Sequence, residues 1–173
     1  GTGYSAAAGT NTINLAAVND LPTTGDQTIS ATEDTVDMYA SGDFTFSDID
    51  SDSISHVKIT TLESAGTLFV DGDDDDTYDS GEDVTLNQEI AIADITDLGF
   101  IGASNANGNA YATFSFMVKD GTGYSAAAGT NTINLAAVQD APTTGDQTIS
   151  ATEDTVDMYA SGDFTFSDVD SDS

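Results

Sequence analysis

Apolar and polar residues alternate along most of the chain, as in Phe114, Phe116 and Val118 or Ile133 and Leu135, and no segment sustains a helical period. Short runs rich in Val, Ile, Phe, Tyr and Thr are separated by Gly, Asp, Asn and Ser, the punctuation of strands and turns. The pattern predicts strands near residues 27–38 (interrupted at Glu33 and Asp34), 43–47, 54–61, 67–70, 84–92, 110–119 and 130–138. Residues 93–109 read as a loop. About seven strands in such a span predict an all-β fold, an antiparallel β-sandwich.

A long repeat sets the organisation. Residues 1–53 recur as residues 121–173, differing only at Asn19/Gln139, Leu21/Ala141 and Ile49/Val169. An offset of 120 residues is the size of a domain rather than of a solenoid turn, which predicts a tandem array. The stretches Asn19-Asp20-Leu21-Pro22 and Gln139-Asp140-Ala141-Pro142 mark the boundaries. Residues 1–18 are then expected to be the last strand of a preceding repeat, 19–138 a complete sandwich of the immunoglobulin or cadherin kind, and 139–173 the first part of the next repeat. The chain reads as a window on a longer array, or else as one whose terminal pieces pack end to end against neighbouring molecules, with a self-contained core in 19–138 alone and with Phe164 and Phe166 not fully buried.

If successive strands reverse direction, the loops sort to two ends. The linker with Asp20, the loop 47–52, the loop 71–83 and Asp120 share an upper end. Glu33 and Asp34, Glu63 and the loop 93–109 with Asp94 and Asp97 share a lower end, beside Asp140, Asp168 and Asp170 of the next repeat. Each junction is therefore expected to collect carboxylates from two repeats.

Charge gives that expectation its weight. The chain has 31 Asp and Glu against 2 Lys and Arg, a formal net charge of −29, so nucleic acid and anionic membrane surfaces are poor partners. No stretch is long and apolar enough to insert into a membrane, and there is no Cys to staple the fold. Bound cations are the obvious candidate for offsetting the repulsion. Ca²⁺ takes six to eight oxygens, and Asp at alternate positions in a loop can converge on one ion. Asp48, Asp50 and Asp52 have that spacing, repeated at Asp168, Asp170 and Asp172; a solvated acidic turn is the alternative. Residues 71–83 hold eight acids in thirteen positions. Numbered from Asp71, they place Asp73 at 3, Asp75 at 5, Thr77 at 7, Asp79 at 9 and Glu82 at 12, the ligand spacing of an EF-hand loop, but with Asp76 where that loop has Gly. A solvated hairpin tip is the competing reading.

Several stretches together resemble the cadherin-like extender repeats of large bacterial RTX-type surface adhesins, some of them ice-binding. These are Val18-Asn19-Asp20-Leu21-Pro22, Thr32-Glu33-Asp34-Thr35, Phe46-Ser47-Asp48-Ile49-Asp50-Ser51-Asp52, Gly66-Thr67-Leu68-Phe69-Val70 and Phe114-Ser115-Phe116-Met117-Val118-Lys119-Asp120-Gly121. The resemblance implies tandem sandwiches stiffened by Ca²⁺ at their linkers, with Glu33 and its copy Glu153 as the early Glu, Asp48 and Asp50 as the paired Asp, Asp20 and Asp140 in the linker and Asp120 as the late Asp. The acidic loop 71–83 is longer than the turn such repeats have there.

The function expected on these grounds is structural: an extracellular spacer on a bacterial cell surface, holding a distal binding domain away from the cell. Its partners are the adjacent identical repeats and, as a further option, neighbouring fibres. The alternative is an adhesive module that contacts carbohydrate, ice or neighbouring fibres in a biofilm matrix. No enzyme is expected. His56 sits in an alternating strand, no nucleophile constellation or small-molecule substrate site is visible, and carboxylate pairs are uninformative in so acidic a chain. Lys58 and Lys119 read as surface charges.

Overall fold

The computed structural model describes residues 1–170, so Asp172 lies outside the described residues. Among the described residues, eight strands form two sheets. β1 (Gln27–Thr32), β8 (Gly129–Ala136), β7 (Gly108–Lys119), β3 (His56–Thr61) and β5 (Glu89–Ala91) make the larger sheet in that order. β2 (Val36–Met38), β6 (Leu98–Ile101) and β4 (Thr67–Val70) make the smaller. The predicted break at Glu33 and Asp34 is where the chain changes sheets, and Asp34 adopts φ 59°, a left-handed conformation that Asp tolerates.

Alternation along β3, β7 and β8 turns Val57, Ile59, Phe114, Phe116, Val118, Ile133 and Leu135 inward, where they meet Leu68, Leu98 and Phe100 of the smaller sheet. Fully burying each such side chain is worth about 1.5–3 kcal/mol. Edge-to-face contacts between Phe44 and Phe116 (5.0 Å) and between Tyr39 and Phe114 (5.9 Å) fill the space between the sheets. On the outer face of the smaller sheet, Phe69 lies over Gly99, whose missing side chain leaves room for the ring, and Tyr78 covers it at 5.5 Å.

Several details correct the expected layout. β1 and β8 pair in parallel, Ile29 beside Ile133 and Ala31 beside Leu135, so the larger sheet is mixed rather than antiparallel. Hairpins force neighbours in sequence to run antiparallel, but the first and last strands are joined by the whole sandwich and escape that constraint. Residues 93–109 are not simply a loop: a 3₁₀ turn (Ile92–Asp97) carries the chain from one sheet to the other and leads into β6, the central strand of the smaller sheet. Segment 43–47 forms no strand, because the Thr45 hydroxyl accepts from the Gly25 N–H and donates to its carbonyl in place of a backbone ladder. Only Glu89–Ala91 of 84–92 joins a sheet; Thr85–Gln88 closes a turn.

Residues 1–18 also form no strand. Ile13 and Leu15 are 86 % and 94 % exposed, whereas Ile133 and Leu135, their exact copies, are 0 % and 3 % exposed. Phe164 and Phe166 are exposed as well, at 65 % and 55 %. No helix among the described residues is long and apolar enough to cross a membrane.

Candidate metal centres

Strand direction sorts the acidic residues. β3 starts beside the end of β7, with His56 opposite Lys119, so Asp120 and the β3 start share the upper end. The Asp20 N–H donates to the Asp50 carboxylate at 2.6 Å, and the Asn19 side chain donates to Asp120 at 3.2 Å and to the Thr122 hydroxyl at 2.8 Å, placing linker and loop 47–52 there too. Loop 71–83 follows from the end of β4, where Asp71 N–H donates to the Asp97 carbonyl at 2.8 Å. Asp94 and Asp97 therefore belong to the upper end. Their expected place at the lower end rested on treating 93–109 as one loop, and the 3₁₀ turn plus β6 adds the reversal that moves them.

The upper linker site is built on hydrogen bonds more than on convergent carboxylates. Asp48 Oδ1 accepts from the N–H groups of Asp50 (2.8 Å) and Asp52 (3.2 Å), while its Oδ2 is buried with no hydrogen-bond partner. Among the described residues, Asp48, Asp50 and Asp52 do not form a three-carboxylate group. Asp120 is fully buried, and its carboxylate accepts from Gly123 N–H (2.6 Å), Thr122 N–H (2.5 Å), the Thr122 hydroxyl (2.9 Å) and Asn19. The Gly123 and Thr122 amides lead in holding it at about 2, against burial, which works the other way. Asp120 is thus a clamp that ties the last turn to the incoming linker.

Loop 71–83 brings five of its predicted ligands together in two groups that share Asp73: Asp71, Asp73 and Glu82, and Asp73, Asp75 and Asp79, with oxygens within 4.8 Å of one another in each. Burial pushes Asp71 up, but the N–H groups of Asp76, Asp73, Asp74 and Asp75 outweigh it and leave the carboxyl below its ordinary value. Asp73 is raised, first by Asp75, then by burial and by Asp71, Asp79 and Glu82, because negative charge surrounds it. Asp76, at the position that an EF-hand loop gives to Gly, takes φ 58° and so supplies the same left-handed turn. Glu82 ties the loop ends, accepting from Gly72 N–H (2.7 Å) and Asp79 N–H (2.8 Å), and Val70 N–H donates to the Glu82 carbonyl at 2.9 Å. With Tyr78 seated on Phe69, the loop is anchored to the sheet and is not a free hairpin tip.

The lower end holds the junction with the next repeat. Glu33 is 1 % exposed, and carboxylate oxygens of Glu33, Asp34 and Asp140 lie within 4.8 Å of one another. The linker is held from both sides: Val138 N–H donates to Glu33 at 3.4 Å, and Asp140 N–H donates to Asp170 at 2.6 Å. Asp168 accepts from Asp170 N–H at 2.9 Å. Asp140 Oδ2 is buried with no hydrogen-bond partner, and its carboxyl is raised by burial and by Asp34, Asp170 and Asp168. Glu63 stays apart from this group; its Oε1 accepts from Leu68 N–H at 3.2 Å and closes the turn between β3 and β4. Glu153, the copy of Glu33, stands exposed.

The sequence reading missed where the two lysines go. Lys58 and Lys119 sit over one ring, that of Tyr124, at 3.8 and 5.1 Å, and Lys58 pairs with Glu89 at 3.2 Å. The pairing of His56 with Lys119 across β3 and β7 carries the signal, but it needs the register. Neither lysine is thereby available to the carboxylates of the lower junction. All donors at the three sites are oxygens, a set that suits a hard cation such as Ca²⁺ rather than Zn²⁺ or Cu²⁺. No protein-family model matches the chain, and no curated protein or solved structure is significantly similar to it.

Proposed function

We propose that the protein is a Ca²⁺-stiffened extender repeat, a structural spacer of an extracellular bacterial adhesin or surface fibre, without enzymatic activity. The observation that carries this reading is the buried, unpartnered oxygen of Asp140 beside the carboxylates of Glu33 and Asp34. A buried carboxylate oxygen with no donor is costly, and no lysine is at hand to offset it. Bound Ca²⁺ supplies positive charge and oxygen coordination there.

The chain's own residues do the rest. Glu33 and Asp34 come from the turn between β1 and β2, Asp140 from the linker, and Asp168 and Asp170 from the next repeat, so neutralising this group fixes the linker against both neighbours. The hydrogen bonds of Val138 and Asp140 already bias the linker toward one path. Loop 71–83 is a separate candidate centre, confined to one repeat.

The experiment is a calcium titration of the whole chain followed by thermal unfolding and small-angle scattering. An ion that binds only the folded form raises the unfolding midpoint by mass action, with affinities on the order of 10⁻⁴ to 10⁻³ M as in extracellular modules. The expected result is a higher midpoint and a narrower spread of molecular dimensions. A midpoint and scattering profile indifferent to EDTA would falsify the reading.

A further inference from the structure

The only three positions that separate the two copies of the 53-residue repeat, Asn19/Gln139, Leu21/Ala141 and Ile49/Val169, all fall on one end of the sandwich. At the upper end of the complete repeat, Leu21 and Ile49 line an open cavity of about 500 Å³ with Asp20, Thr23 and Ser47. They are 52 % and 81 % exposed, large apolar side chains in a chain dominated by carboxylates. At the lower junction, the same end of the following copy is met by the preceding sandwich: Gln139, Val169 and Asp170 face Asn105, Asn107 and Val138 across a cavity of about 470 Å³. The cover shows at the two copied acids and at position 169, while Gln139 and Ala141 stay exposed. Asp140 and Asp170 are partly buried, whereas their copies Asp20 and Asp50, which no sandwich meets, are exposed. Val169 is 56 % exposed where Ile49 is 81 %.

We propose that the upper end, centred on Leu21 and Ile49, is a docking face for the lower end of another copy of this repeat, presented by the counterparts of Asn105, Asn107 and Val138. The residues at 19, 21 and 49 set how firmly each junction closes. The inference rests on the tandem-spacer reading and adds to it an apolar contact beside the carboxylates. Leu21 packs over Gly123, the glycine of the turn that Asp120 clamps, so that face is held in place from beneath. Ala141 and Val169 offer less apolar surface to the same kind of partner, so the two junctions differ in tightness, and an array built on such differences is stiff at some joints and looser at others.

The test uses the whole chain. Because it has no Cys, spin labels on Ala93→Cys and Ser161→Cys report one distance across the lower junction. Ala141→Leu with Val169→Ile, which installs the residues of the upper face, is expected to narrow the distance distribution both with calcium and with EDTA. Val169→Ser is expected to broaden it. Distributions unchanged by both variants overturn the docking face. Calcium acts as the independent arm: narrowing by the substitutions without narrowing by calcium leaves the docking face standing while removing the calcium-stiffened spacer, and the converse result does the opposite.

Discussion

Residues 9–16 and residues 129–136 have the same sequence, yet the second stretch is the strand β8 and the first joins no sheet and is exposed. β8 lies between β1 and β7, bonded on both sides. Among the described residues its twin pairs with no strand, and the slot between β1 and β7 is filled by β8. The N-terminal third of the repeat shows the same contrast in another form. β1 and β2 have no counterpart in 147–158, but the 3₁₀ turn Ser41–Asp43 recurs at Ser161–Asp163, and the bridge between Thr23 and Ser47 recurs between Thr143 and Ser167. The bond from Asp20 to Asp50 recurs from Asp140 to Asp170 at the same 2.6 Å. Interactions that span about thirty residues form wherever the sequence occurs, whereas ladders need a partner supplied from farther along the chain.

The largest test of this contrast is a pair of identical substitutions. Ile133→Ala empties a fully buried site and is expected to cost about 2–5 kcal/mol in urea unfolding. Ile13→Ala is expected to stay within about 0.5 kcal/mol. Equal losses would mean that the twin strand is also packed in solution. Next in size, Asp50→Ala removes an exposed hydrogen bond from the Asp20 N–H and is expected to cost about 0.5–1.5 kcal/mol of global stability. Asp170→Ala is expected to leave global unfolding unchanged while accelerating hydrogen exchange at the Asp140 amide. A shared global loss would show that the second copy folds as part of the first.

A further prediction separates the two kinds of acidic site. Asp73→Asn removes charge from the centre of a repulsive group, so it is expected to raise the unfolding midpoint in EDTA and to shrink the calcium response. Asp120→Asn, which weakens acceptors that the Gly123 and Thr122 amides use, is expected to lower the midpoint in both conditions. The smallest effect is in pH. Asp120 titrates at about 2 when folded, against about 3.9 when unfolded, so its contribution is complete above about pH 4 and is lost as pH falls toward 2. Asp73 and Asp140 are shifted upward, so their charges destabilise the metal-free fold at neutral pH, and that penalty lifts as pH falls through the region just above the ordinary Asp value. Metal-free stability is expected to rise on mild acidification and then fall. A steady decline from neutral pH would count against these assignments.

Much of this was legible in the residues. β4 falls on residues 67–70 as its apolar run indicates, and β3, β7 and β8 follow from alternation. β6 was hidden because Leu-Gly-Phe-Ile has no alternation: it is the middle strand of its sheet, with Leu98 and Phe100 in the core and Gly99 covered by Phe69. The parallel pairing of β1 with β8 leaves no local trace, being fixed only when the sandwich closes. In the acidic loop the spacing of Asp71, Asp73, Asp75, Asp79 and Glu82 was readable, while the role of Asp76 depended on a backbone angle. Asp120 as a clamp could be read in part from the Asp-Gly-Thr-Gly turn, but its link to Asn19 crosses a hundred residues.

The parallel pair has a mechanical consequence. β1 starts at the upper end and β8 finishes at the lower end, so force applied between the two ends of the sandwich pulls the two strands past each other in opposite directions along their length. Their six-residue ladder, Gln27 beside Asn131 through Thr32 beside Ala136, is then loaded in shear, with its bonds sharing the force instead of parting one by one as in an unzipping hairpin. The fold places its resistance to stretching between the first strand and the last.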